Sequence, residues 1–102
     1  MSICFFCSSA LPLPETREKI VDAKMRFHDV LRHFWISDGR ELAQNDREEA
    51  AAHGFNALSG FMIQWNKEEG SELISQIPRI IYDTFGRDNV LVYDNDYDLI
   101  PY

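Results

Sequence analysis

Basic residues are scarce in this chain: ten lysines and arginines stand against seventeen aspartates and glutamates, a formal net charge of −7. Nucleic-acid phosphates demand a basic face, so direct binding of DNA or RNA is not expected. Long apolar runs are also missing, and none approaches the roughly 20 residues of a membrane span. The opening MSICFFCSS has neither the basic start nor the extended apolar stretch of a secretory signal, which predicts a cytoplasmic chain. Two cysteines are too few for the disulfide framework of a small secreted domain. The P-loop, the dinucleotide fingerprint G-x-G-x-x-G and the nucleophile elbow G-x-S-x-G are all absent. Ser8, Ser9, Ser37, Ser59, Ser71 and Ser75 have no recognisable base partner in sequence, so nothing points to an enzyme and no cofactor is implied.

What is present is an ordinary globular composition, 45% hydrophobic and 26% charged over 102 residues, which suits one domain spanning 1–102. Ile3 to Cys7 is short, apolar and aromatic, and reads as a buried strand. The prolines of Leu11 to Pro14 forbid regular hydrogen bonding there. Ile20, Ala23, Phe27, Val30, Leu31 and Phe34 recur at steps of three and four, predicting a helix from about Glu15 to Trp35. Glu15–Lys19 and Asp22–Arg26 are acid-first i,i+4 pairs that favour it. Ser37-Asp38-Gly39 reads as a loop, since Arg40 to Asn45 shows no alternation. Asn45 with Glu48 has the outline of a capping box, and Ala51, Phe55, Leu58, Met62 and Trp65 extend a second helix to about Asn66. Gly54 and Gly60 would then allow another element to approach closely.

Ser71 can cap a third helical stretch carrying Leu73, Ile74, Ile77, Ile80, Ile81 and Phe85, with a kink or a junction of two short helices at Pro78. Gly86 suits the closing position of that helix. Asn89 to Tyr93 reads as a strand, and the turn Asp94-Asn95-Asp96 leads to an edge-like strand ending at Ile100. The expected fold is α+β: a mostly helical single domain of about three main helices, with short strands at both termini that could join in one small sheet.

Three groups could carry chemistry. Cys4-Phe5-Phe6-Cys7 has the C-x-x-C spacing of redox and zinc sites, but no helix start lies beside it and no second C-x-x-C or close histidine pair completes a metal set. A strand would also send the two thiols to opposite faces, so buried cysteine acting as a small hydrophobe is the simpler reading. His28 and His33 diverge by about 140° on one helix, and His53 lies elsewhere, which leaves them as surface or boundary residues. Asp94, Asp96 and Asp98 match the first alternating ligands of an EF-hand loop, yet Leu99 stands where that loop requires glycine.

The charge is distributed unevenly. Residues 1–36 carry five cations against four acids, a balance of +1, whereas residues 37–102 carry thirteen acids against five cations, a balance of −8. Such a field fits a basic protein partner. In an extended tail, Asp94, Asp96 and Asp98 would share one face, with Asn95, Tyr97 and Leu99 on the other. Tyr93, Tyr97 and Tyr102 add the apolar area and hydroxyls enriched at interfaces. The candidate partner-binding residues are therefore Tyr93, Asp94, Asp96, Tyr97 and Asp98, joined by Glu68, Glu69 and Glu72. A solvated hairpin whose charges merely protect a sheet edge is the competing structural explanation.

In size, acidity and absence of catalytic motifs, the chain resembles the immunity proteins that bacteria make against bacteriocin or contact-dependent toxins. That resemblance implies a binding inhibitor that covers a basic toxin domain, commonly a nuclease, by protein–protein contact. It implies no fold, and no family binding residues carry over. The alternatives are a small thiol-redox or metal-binding protein using Cys4 and Cys7, or a structural adaptor subunit whose apolar seams are intermolecular.

Overall fold

Cys4–Ser9 forms β1 in the middle of an antiparallel sheet, between β4 (Ser59–Trp65) and β5 (Val90–Tyr93). The computed structural model describes residues 3–66 and 69–102. Beyond these strands lie β2 (Phe34–Ile36) on β4 and β6 (Leu99–Ile100) on β5, giving the order β2–β4–β1–β5–β6. The two-residue β3 (Arg40–Glu41) pairs with the other end of β4, so β2 and β3 are two pieces of one interrupted edge. Ser37 spans the interruption: its N–H donates to the Met62 carbonyl at 2.9 Å, and its Oγ accepts the Met62 N–H at 2.8 Å.

Alternation then sorts the side chains. Phe5, Cys7, Phe61, Ile63, Val90 and Val92 belong to one buried cluster with Ile20 and Ala23 of α1 (Leu13–Arg26) and with Ile77, Ile81 and Phe85 of α4 (Ile77–Phe85). Phe6, Ser8, Gly60, Met62, Leu91 and Tyr93 occupy the alternate positions and face the other way, where α3 (Gln44–Ala52) and the C-terminal turn lie. A one-turn helix α2 (His28–Leu31) and a 3₁₀ helix (Ser71–Gln76) complete the fold.

This architecture overturns the expectation of a mostly helical domain with strands confined to the termini. Both of the longer predicted helices end early, and each gives way further on to a strand. The first stops at Arg26, where Phe27 leaves helical geometry at φ −118°, ψ 36°; Phe34-Trp35-Ile36, aromatic and β-branched, pairs with β4 instead. The second ends at Ala52, with Gly54 at φ +71° in left-handed geometry, and Ser59–Trp65 becomes the strand between β1 and the interrupted edge. Phe61, Ile63 and Trp65 satisfy a period of two as well as Leu58, Met62 and Trp65 satisfy a helical one, so apolar spacing alone could not decide there. The capping box is also absent. Ala43 stands at the N-cap without a side-chain bond, and Glu48 Oε1 accepts from Gln44 Nε2 at 3.2 Å.

Other elements agree with expectation: the N-terminal strand, the helix junction at Pro78, Gly86 ending α4 at φ +90°, β5, and the short edge strand ending at Ile100. Gly60 does permit close approach, though within a strand. A Cβ there would lie 2.6 Å from Leu42 Cδ2 and 2.9 Å from the Cys7 carbonyl oxygen.

A buried hydroxyl cluster ties α1 to the sheet. Thr16 Oγ1 donates to Ser9 Oγ at 2.8 Å, and Ser59 Oγ has one proton to share between Thr16 Oγ1 at 2.7 Å and the Leu11 carbonyl at 2.9 Å. All three side chains are fully buried, and their mutual bonds offset the cost of desolvation.

Candidate partner-binding face

Because β1 runs antiparallel to both neighbours, its start lies at the same end of the sheet as the ends of β4 and β5. The segment after Trp65 and the turn after Tyr93 therefore emerge together. Glu69 and Glu72 are exposed there, with the Glu69 carbonyl accepting Trp65 Nε1–H at 2.9 Å. Glu68 lies outside the described residues.

The tail itself is folded, which corrects the extended reading with aspartates on one face. Asp94 Oδ1 accepts N–H bonds from Asp96 at 2.8 Å and Asp98 at 3.0 Å, the geometry of an Asx turn. Two backbone bonds close the turn, Asp94 N–H to the Asp98 carbonyl and Tyr97 N–H to the Asp94 carbonyl, each at 3.0 Å. Tyr97 takes φ +60° to complete it, a left-handed geometry uncommon for an aromatic residue. Asn95 Oδ1 anchors the turn by accepting Cys4 N–H at 2.6 Å. The result splits the predicted set: Asp96 and Asp98 are exposed, while Asp94 is partly buried and committed to the backbone. Carboxylate oxygens of all three lie within 4.8 Å of one another, the only such grouping of potential metal-ligating side chains among the described residues.

Tyr97 is turned back onto the sheet, stacked on Phe6 with centroids 4.7 Å apart and planes at 9°, and still 49% exposed. Tyr93 is only 2% exposed, its ring set between His53 at 5.9 Å and Tyr97 at 6.3 Å. Its hydroxyl is buried and has no hydrogen-bond partner among the described residues. Burial pushes this phenol up to about 12, with the carboxylate of Glu49, the phenol of Tyr82 and the carboxylate of Asp46 adding to the effect. Tyr102 turns away: its hydroxyl donates to Asp83 Oδ1 at 2.9 Å, and Arg79 lies 4.9 Å from its ring centroid.

Reading Asn45–Asn66 as one helix hid a second acidic contribution. The real α3 folds across the outer face of the sheet and brings Asp46 and Glu49 over Tyr93, with Arg40 from β3 beside them. Phe6, Tyr97, Asp46, Glu49, Arg40 and Tyr93 flank a narrow cleft of about 30 Å³. The acidic spacing Asp46–Glu49, one helical turn apart, was visible in sequence; its position over β5 was not.

The cysteines and histidines stay apart. Cys7 is buried in the core, where desolvation drives its thiol well above the usual range, and Cys4 lies on the opposite face; both are unpaired. His53 Nε2 lies 4.0 Å from Glu49 Oε1, and the exposed His28 is 4.0 Å from its neighbour Asp29. No helix among the described residues is long and apolar enough to cross a membrane.

Fold and surface together define an α+β protein with a single antiparallel sheet whose outer face and one end are rich in carboxylates and tyrosines. Residues 1–98 match the family described as CDI System Immunity Component, and the chain belongs to that family of contact-dependent inhibition immunity proteins. It is 26% identical over 99 residues to immunity protein CdiI-2 of Burkholderia pseudomallei (strain 1026b), covering 95% of this chain and 98% of that one. The fold is similar, at a TM-score of 0.86 and 22% identity over 95% of each chain, to one solved in a CdiA-CT/CdiI toxin and immunity complex from Burkholderia pseudomallei.

Proposed function

We propose that this chain is a cytoplasmic immunity protein that binds the toxin domain of a contact-dependent inhibition system and neutralises it by covering it. The toxin domain is basic, and a nuclease. Family membership over residues 1–98 is the observation that carries the reading. The charge balance of −8 over residues 37–102 supplies its physics. Opposed fields speed association, and close charge pairs from which water is excluded have coupling energies of roughly 1.5–7 kcal/mol. Asp96, Asp98, Glu69 and Glu72 meet the toxin at the end of the sheet, Tyr93 and Tyr97 meet it beside α3, and Asp94 holds the turn in shape. Glu68 belongs to the same acidic run.

The test is co-expression with a panel of contact-dependent inhibition toxin domains, followed by nucleic-acid cleavage assays of the toxin that this chain silences. Growth rescue by one toxin's partner, with cleavage abolished at one equivalent of this chain, is the expected result. Inhibition at far below one equivalent would mean catalysis and sink the binding mechanism. Rescue from a toxin that cleaves no nucleic acid would remove the nuclease assignment and leave the immunity function.

A further inference from the structure

We infer that the cleft between α3 and the C-terminal turn is a receptor for a single guanidinium group, presented by an arginine of the toxin. This deepens the proposed function and rests on it for the identity of the arginine's owner. Acidic side chains on a helix would not by themselves define a site. The second observation is the Tyr93 hydroxyl, 98% buried by residue yet without a partner among the described residues. A buried phenol normally makes a hydrogen bond, and this one keeps its bonding capacity for a group from outside the chain.

Each wall of the cleft matches one property of guanidinium. Asp46 and Glu49 offer carboxylates to its N–H donors, and the Tyr93 oxygen can accept a further one. The stacked pair of Phe6 and Tyr97 presents an aromatic ledge, with Tyr97 half exposed, on which a planar cation can lie. The void of about 30 Å³ takes a head group of a few atoms. It is far below the roughly 300–1,000 Å³ of metabolite sites. Lysine would satisfy the charge but could neither stack nor serve three acceptors in one plane.

Arg40 also lines the cleft, and among the described residues it forms no ion pair with Asp46 or Glu49. It is a resident competitor, close enough to weaken the field without occupying the acceptors. Removing it should improve binding of an external guanidinium.

The experiment is a ¹H–¹⁵N NMR titration of the full chain with N-acetyl-arginine amide at low salt, with N-acetyl-lysine amide as control. Saturating shifts centred on Asp46, Glu49, Gly60, Tyr93 and Tyr97 are expected, at millimolar to tens-of-millimolar concentrations and about fivefold tighter for arginine than lysine. Asp46→Asn with Glu49→Gln should lower the affinity about tenfold, and Arg40→Gln should raise it. Asp22→Asn with Asp29→Asn, which removes the same charge outside the cleft, should change it less than about twofold. Absent shifts, equal response to both probes, or loss of binding in this control variant alone would overturn the proposal. A chain that binds arginine in the cleft but protects against no toxin would retain the receptor and refute the immunity function. Protection by a chain whose cleft ignores arginine would do the reverse.

Discussion

Tyr93→Phe should make the free protein more stable. The substitution deletes one oxygen from a side chain that is 2% exposed and whose hydroxyl has no partner among the described residues. Uncompensated burial of a hydroxyl costs roughly 1–3 kcal/mol, and the isosteric ring of phenylalanine keeps the contacts to His53 and Tyr97. A gain of about 1 kcal/mol is expected, equivalent to a rise of roughly 4–8 °C in Tm for a domain near 100 residues. Urea unfolding with an unchanged m value would measure it.

A second signature lies at alkaline pH. The folded phenol titrates near 12 against about 10 in an unfolded chain, so the protonated form is favoured by folding. Its contribution is fully present below pH ~10 and is lost as pH rises towards ~12, a decline on the order of 1–2 kcal/mol after allowance for solvent screening. Phenylalanine cannot titrate, so the variant should lose stability less steeply across that window. A variant destabilised by about 1 kcal/mol or more, with the same alkaline slope as the parent, would show that the hydroxyl is satisfied and refute the reasoning.

Gly60→Ala should destabilise by about 1–3 kcal/mol, because its Cβ would meet both Leu42 and the Cys7 carbonyl; thermal unfolding checks this. Thr16→Val removes the hub of the buried hydroxyl cluster and should cost about 1–3 kcal/mol by urea denaturation, since Ser9 and Ser59 lose a partner. Asp94→Ala should open the C-terminal turn, seen as faster amide exchange at Asp96 and Asp98, with a loss of roughly 1 kcal/mol or less. Association with the toxin should slow by about tenfold or more between low and physiological salt, read by stopped-flow; a salt-independent rate would remove the electrostatic steering.

The terminal strands, the helix junction at Pro78 and the edge strand before Pro101 were legible because proline, glycine and β-branched runs act locally. The central strand β4 was not, because Leu58, Met62 and Trp65 fit a helix while Phe61, Ile63 and Trp65 fit a strand. The pairing partners that settle the matter, β1 on one side and β2 with β3 on the other, are distant in sequence. The same ambiguity concealed the cleft. Tyr93 and Tyr97 could be named as candidates from composition and spacing, but the helix that supplies Asp46 and Glu49 reaches them only once Gly54 has ended it and β4 has turned back. The turn of Asp94 to Asp98 illustrates a different limit, since alternating aspartates suit an extended strand until one carboxylate bonds two backbone amides of its own segment.

Ser9 and Ser59 stand directly opposite each other in the pairing of β1 with β4, with Thr16 reaching both. Sliding either strand by one residue would reverse its side chains, move one serine to the outer face and leave the threonine hydroxyl buried with half its bonds. Apolar positions tolerate such errors more cheaply, since Phe, Ile and Met are all welcome in a core. The three hydroxyls thus act as an alignment key: they make the one correct register of the sheet distinguishable from its neighbours, and with it the placement of every carboxylate carried on the strands and loops beyond.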